Sequence, residues 1–118
     1  MSTNKPYDLA MIYAISDNNK EFFEQLISVF ADTISKDNEL LKETAAKGDW
    51  REVGQLAHKM KSSTAHFQVD AVKDTILQLE HYQNSNPAEL NAHVQELDRV
   101  INDVLLNLKA EFSEIFNQ

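Results

Sequence analysis

The sequence predicts an all-α fold, an antiparallel four-helix bundle with a short additional N-terminal helix. Three observations predict it. Apolar residues recur at three- and four-residue spacing through four long segments, and no segment alternates with period two. Only 2 glycines and 2 prolines interrupt the 118 residues, so tight turns are few and helices long. The breaks that do occur are short and polar, which makes successive helices antiparallel neighbours.

The first helix is expected from about Tyr7 to Ile15, with Asp8 as its cap and Leu9, Ile12 and Ala10 or Tyr13 turned inward. Asp17-Asn18-Asn19 breaks it. Asn18 with Glu21 fits a capping box for a second helix, Asn19 to Lys47. There Phe23, Ile27, Phe30, Ile34 and Leu41 hold helical spacing, broadened by Phe22 and Leu26. Thr33 to Asn38 is weak in helix propensity, yet the apolar period resumes in phase at Leu41 and Ala45. Gly48 ends that helix, and Asp49 with Glu52 opens a third from Trp50 to about Phe67. Asp70 is expected to cap a fourth carrying Val72, Ile76, Leu79 and Tyr82 or Gln83. After the loop Asn84-Ser85-Asn86-Pro87, Asn86, Pro87 and Glu89 start the last helix. Its inward seam is Leu90, Val94, Leu97, Ile101, Leu105 with Val104, Leu108 and Phe112, close to heptad spacing. Residues 1–6 read as a tail and 7–118 as one bundle domain.

Composition narrows the function. Nineteen acidic against 11 basic residues, a net charge of −8, argue against nucleic-acid binding. With no cysteine there is no disulfide, thiolate metal site or cysteine nucleophile. No apolar run approaches the roughly 20 residues that span a bilayer. Met1-Ser2-Thr3-Asn4-Lys5-Pro6 lacks the apolar core of a signal peptide, so a cytoplasmic, soluble protein is expected. A di-metal bundle needs Glu three residues before its histidines. Gln55, Ser63, Gln78 and Leu90 stand there instead. HExxH is absent, and so is any glycine-rich phosphate loop, so ATP binding and kinase chemistry are not expected.

One segment carries chemistry. At about 100° per residue, Val53, Leu56, Met60, Thr64 and Phe67 lie opposite His58 and form the core stripe. Gly54, Lys61, Ser62 and Ala65 lie within about 60° of His58. The histidine therefore projects into solvent on a face cleared of bulk. Arg51, Lys59, Lys61 and His66 make that neighbourhood basic on an acidic protein, which fits a partner with a negatively charged site. An ordinary solvated helix face would carry the same charges.

His58-Lys59-Met60-Lys61-Ser62-Ser63 resembles the signature of the histidine-containing phosphotransfer (HPt) family, a histidine with lysine at plus three and a small residue at plus four. Gly48 to Ala57 resembles the family's approach to that helix, and Leu79-Glu80 matches a position where the family often has Glu or Gln. The likeness covers the chain from Tyr7 onward. It implies a relay without catalysis of its own, moving a phosphoryl group between the aspartates of response-regulator receiver domains. Imidazole ordinarily titrates near ~6.5, so a neutral ring is a good nitrogen nucleophile near pH 7. His58 is expected to attack through Nε2 while Glu80 orients Nδ1–H, with Lys61 offsetting phosphoryl charge. Gly54, Gln55, Ser62, Ala65, His66 and Asn84 are the expected docking residues. The protein needs no cofactor of its own; Mg²⁺ is expected on the partner receiver. Receivers of a hybrid histidine kinase are the expected partners, with no nucleic acid and no membrane, and a monomer is expected. A start at Met1 fits a stand-alone relay as well as a domain of a hybrid kinase.

Two positions depart from the family pattern. Ser62 replaces the usual glycine at plus four, its hydroxyl able to bond back to the His58 carbonyl. Gln68 replaces a second common glycine at plus ten. A competing reading is a scaffold or inhibitor that binds a receiver or kinase and carries no phosphate. A metal-bundle enzyme is a distant third.

Overall fold

The computed structural model describes residues 5–116. It is predominantly helical, with no strand among the described residues. Six α-helices follow one another: α1 (Ala10–Ser16), α2 (Lys20–Ala46), α3 (Trp50–His66), α4 (Lys73–Glu80), α5 (Pro87–Glu111) and α6 (Ser113–Phe116). Helices α2, α3, α4 and α5 pack in a closed ring, each on two neighbours, while α1 lies on α2 and α6 on α5 and α2. Paired residues show that the neighbours run antiparallel. Phe23 meets Phe112 and Asn38 meets Asp98 across α2 and α5. Phe30 stacks on Phe67 at the end of α3, and Asp37 meets Lys59. No described helix is long and apolar enough to cross a membrane. Of the expected tail, residues 1–4 lie outside the described residues, as do the last two residues of the expected domain.

The core is what the apolar period builds. Ile27, Ile34, Leu41, Val53, Met60, Leu79, Leu97, Ile101 and Leu108 are fully buried. Helix α2 runs unbroken through Thr33–Asn38, where buried Asp37 and Asn38 find polar partners on α3 and α5. In α5 the seam departs from strict heptads. Val100 and Val104 are buried while Leu105 and Phe112 are only partly covered. A straight helix of 3.6 residues per turn drifts about 20° per heptad, which carries the stripe toward Val104 and Leu108.

Helix starts differ from expectation at three places. Asn19, not Asn18, caps α2: Asn19 is extended (φ −90°, ψ 103°) and its side chain accepts from Phe22 N–H, whereas Asn18 sits at φ 65°. Helix α1 begins at Ala10, because Tyr7 and Asp8 form a strap. The Tyr7 hydroxyl donates to Glu111 and Asp8 N–H to the Phe67 carbonyl, while the Asp8 carboxylate accepts from Ala10 N–H. Asp70 does not cap α4, and the fourth helix is short. A 3₁₀ turn, Asp70–Val72, leads into it and another, Tyr82–Asn84, follows it. Buried Val69 and Val72 anchor that start in place of a side-chain cap. The capping box at Asn86 and Glu89 forms in full; at Asp49 only the bond from Glu52 N–H is made.

Candidate functional site

Helices α3 and α4 position the site between them. His58 stands mid-way along α3, and Glu80 is the last residue of α4. Burial of Leu56, Ala57 and Met60 fixes the roll of α3, which leaves the His58 side chain 70% exposed. Burial of Leu79 and Ile76 does the same for α4, and Glu80 keeps only 14% exposure.

Nδ1 of His58 lies 2.6 Å from Oε2 of Glu80. A carboxylate only accepts, so in the neutral ring this contact places the proton on Nδ1 and the lone pair on Nε2. No hydrogen bond occupies Nε2 among the described residues. Lys61 Nζ, one turn along α3, stands 3.1 Å from Oε1 and 3.2 Å from Oε2 of the same carboxylate. Burial alone would push the Glu80 carboxyl up; the hydrogen bonds from His58 and Lys61 outweigh it and hold the group below the usual carboxylate range. Glu80 is therefore an ionised acceptor at neutral pH, shared by an imidazole and an ammonium.

The surroundings of His58 are open. Arg51, Gly54, Gln55, His58, Glu80 and Tyr82 line a shallow hollow of about 340 Å³. Of the expected docking residues, Gln55, Ser62, Ala65, His66 and Asn84 are exposed, whereas Gly54 is buried against the end of α4. Asn84 lies in the 3₁₀ turn beyond α4, so it does not extend the Glu80 face by one α-helical turn. His66, at the end of α3, borders an apolar groove with Ile15, Leu26, Val29 and Phe67. Lys59 is drawn away to Asp37 of α2, 3.0 Å from its Nζ, while Lys61 shares the Glu80 carboxylate with His58 and Arg51 lines the same hollow.

Ser62 makes no bond to the His58 carbonyl among the described residues. Ser63 and Thr64 bond back instead, both to the Met60 carbonyl. Gln68, which stands where the resemblance expects a glycine, takes φ 49°, in the left-handed region that favours glycine. A non-glycine residue there costs of the order of 1–2 kcal/mol.

Tyr82 and Arg51 were absent from the expected docking set although both line the hollow. Arg51 stands seven residues before His58, nearly two helical turns, and the helical count alone places it on that face. Tyr82 carried no comparable signal, since its position depends on where α4 ends. No group of three His, Asp or Glu side chains among the described residues could hold a metal ion.

The arrangement presents a nitrogen lone pair to solvent, with its ring braced by a largely covered carboxylate and a cation one turn away. A family model described as "Hpt domain" matches residues 25–115. No curated protein and no solved structure matches the chain.

Proposed function

The chain belongs to the Hpt domain family, and on that footing we propose that it is a phosphorelay intermediate with His58 as its phosphoryl acceptor. The observation that carries this reading is an imidazole 70% exposed yet fixed at Nδ1 by a 2.6 Å contact to a carboxylate that is itself only 14% exposed. The Nε2 lone pair attacks the phosphorus of an aspartyl phosphate on a receiver domain. The N–P bond forms, the acyl P–O bond breaks, and its electrons return to the aspartate carboxylate. Nδ1 keeps its proton, and Glu80 balances the positive charge that the ring acquires. Attack by the aspartate of a second receiver reverses these steps.

Lys61 offsets charge on the phosphoryl oxygens, moving from the Glu80 carboxylate to reach them. Gln55, Ser62, Ala65, His66 and Asn84 form the docking rim, with Gly54 beneath it. Mg²⁺ and the acidic pocket belong to the receiver, which supplies most of the transition-state stabilisation. The protein acts as a monomer in the cytoplasm, with receivers of a hybrid histidine kinase as partners. It neither binds ATP nor catalyses the transfer alone.

The test is incubation with phosphorylated receiver domains from the same organism. An acid-labile, base-stable label is expected on the wild type and none on His58→Gln. Equal labelling of both overturns the proposal. Receiver binding with no label on either points to a scaffold instead.

A further inference from the structure

Resting on the reading of His58 as the acceptor, we infer that Gly54 is a positioning residue whose missing side chain sets Glu80 at hydrogen-bond distance from the imidazole. Gly54 lies inside α3, one turn before His58. Glycine is among the least favourable residues in a helix interior. Its usual justification is a left-handed backbone, as at Gly48 with φ 75°, but Gly54 is not among the positive-φ residues. Conformation does not require a glycine here.

Space does. A β-carbon at position 54 would stand 3.2 Å from the Leu79 carbonyl oxygen, 3.3 Å from Tyr82 Cδ1 and 3.6 Å from the Glu80 carbonyl oxygen. These atoms are the end of α4 and the turn that leaves it, and Glu80 sits among them. The two nearest contacts are tighter than ordinary van der Waals packing, and one is backbone, which has no rotamer to escape through. A methyl group must push the end of α4 outward by a few tenths of an ångström. The His58–Glu80 contact of 2.6 Å is already short for a charge-assisted N–H···O bond, so its geometry depends on that spacing. Gly54 thus acts on the imidazole through the backbone of α4, without touching the ring's reacting nitrogen.

The experiment uses ring-¹⁵N histidine NMR on the full chain, with phosphoramidate as a small phosphodonor. In the donor reaction the Nε2–P bond forms, the donor's P–N bond breaks, ammonia leaves with the electron pair, and Nδ1 keeps its proton. Wild-type His58 is expected as the Nδ1–H tautomer. Gly54→Ala is expected to show mixed tautomers and to take up phosphate ~10-fold more slowly, while its Tm stays within a few degrees because gained helix propensity offsets the crowding. Gly54→Ala combined with Tyr82→Leu relieves one of the two tightest contacts, so its tautomer mixture is expected to lie between the two. It also serves as the test should the single variant fail to fold. Wild-type tautomer and rate in the folded Gly54 variants overturn the inference. A wild type that takes no phosphate from the donor counts against the acceptor reading of His58, and the tautomer measurement still decides the role of Gly54.

Discussion

Two interhelical polar clusters in this bundle look alike and end differently. On the α2–α5 seam, Asp98 Oδ1 accepts from Asn38 at 2.9 Å and from Asn102 at 3.1 Å, with Lys42 Nζ also at 3.1 Å. On the α3–α4 face, Glu80 takes His58 and Lys61. Both use a partly covered carboxylate as a hub that takes two donors from a neighbouring helix, Asp98 adding Asn102 of its own. In the seam the donors are amides and an ammonium, whose roles end with the bonds they make. At the face one donor is an imidazole, which has a second nitrogen still facing solvent. Under the proposed relay function, a polar cluster that locks two helices becomes a reaction site when one member keeps an uncommitted reactive atom.

Substitutions should separate the two clusters. Asp98→Ala leaves Asn38 and Lys42 without their shared acceptor, and Asn38 is only 2% exposed. It should destabilise the bundle by about 1–3 kcal/mol, read by chemical denaturation, with phosphoryl uptake per folded molecule unchanged. Glu80→Ala should do the reverse. Transfer slows ~10-fold, equivalent to about 1.4 kcal/mol of barrier, while the fold is kept, as circular dichroism and single-turnover kinetics would show. Should Asp98→Ala slow transfer as much as Glu80→Ala, the functional division between the clusters is wrong. Lys61→Ala removes one cation from the face and should slow transfer about threefold in the same single-turnover assay, since the receiver supplies most of the charge stabilisation.

The smallest effect is on acid stability. The hydrogen bonds from His58 and Lys61 hold Glu80 below the ordinary carboxylate range despite burial. A group whose folded pKa is depressed contributes stability above its unfolded value and loses it as pH falls through the folded one. Glu80→Gln should therefore be slightly less stable than wild type near neutral pH. The difference should close on acidification below the ordinary carboxylate range, as parallel denaturation curves would show.

Much of this was legible in the chain because the signals are local. The stripe Val53, Leu56, Met60, Thr64 and Phe67 is buried as its spacing requires, and the Asn86–Glu89 box forms as written. Asn18 and Asn19 are equivalent as letters; only the extended backbone of Asn19 and the left-handed one of Asn18 distinguish them. The extent of α4 was hidden because Val69 and Val72, anchored by tertiary burial, set its start where Asp70 offered a cap signal. The burial of Gly54 was hidden for the same kind of reason. A helical count assigns it a face, but the backbone that crosses that face comes from 25 residues further along, at Leu79. Periodicity fixes which way a residue points within its own helix and says nothing of what arrives from another.

The account centres on one ring with its two nitrogens in different roles. Nitrogen–phosphorus coupling in the NMR spectrum of the ¹⁵N-histidine, phosphorylated protein tests it most directly. The account predicts phosphorus coupled to Nε2 of His58, with a proton retained on Nδ1. Phosphorus on Nδ1, or on any other residue, would contradict it.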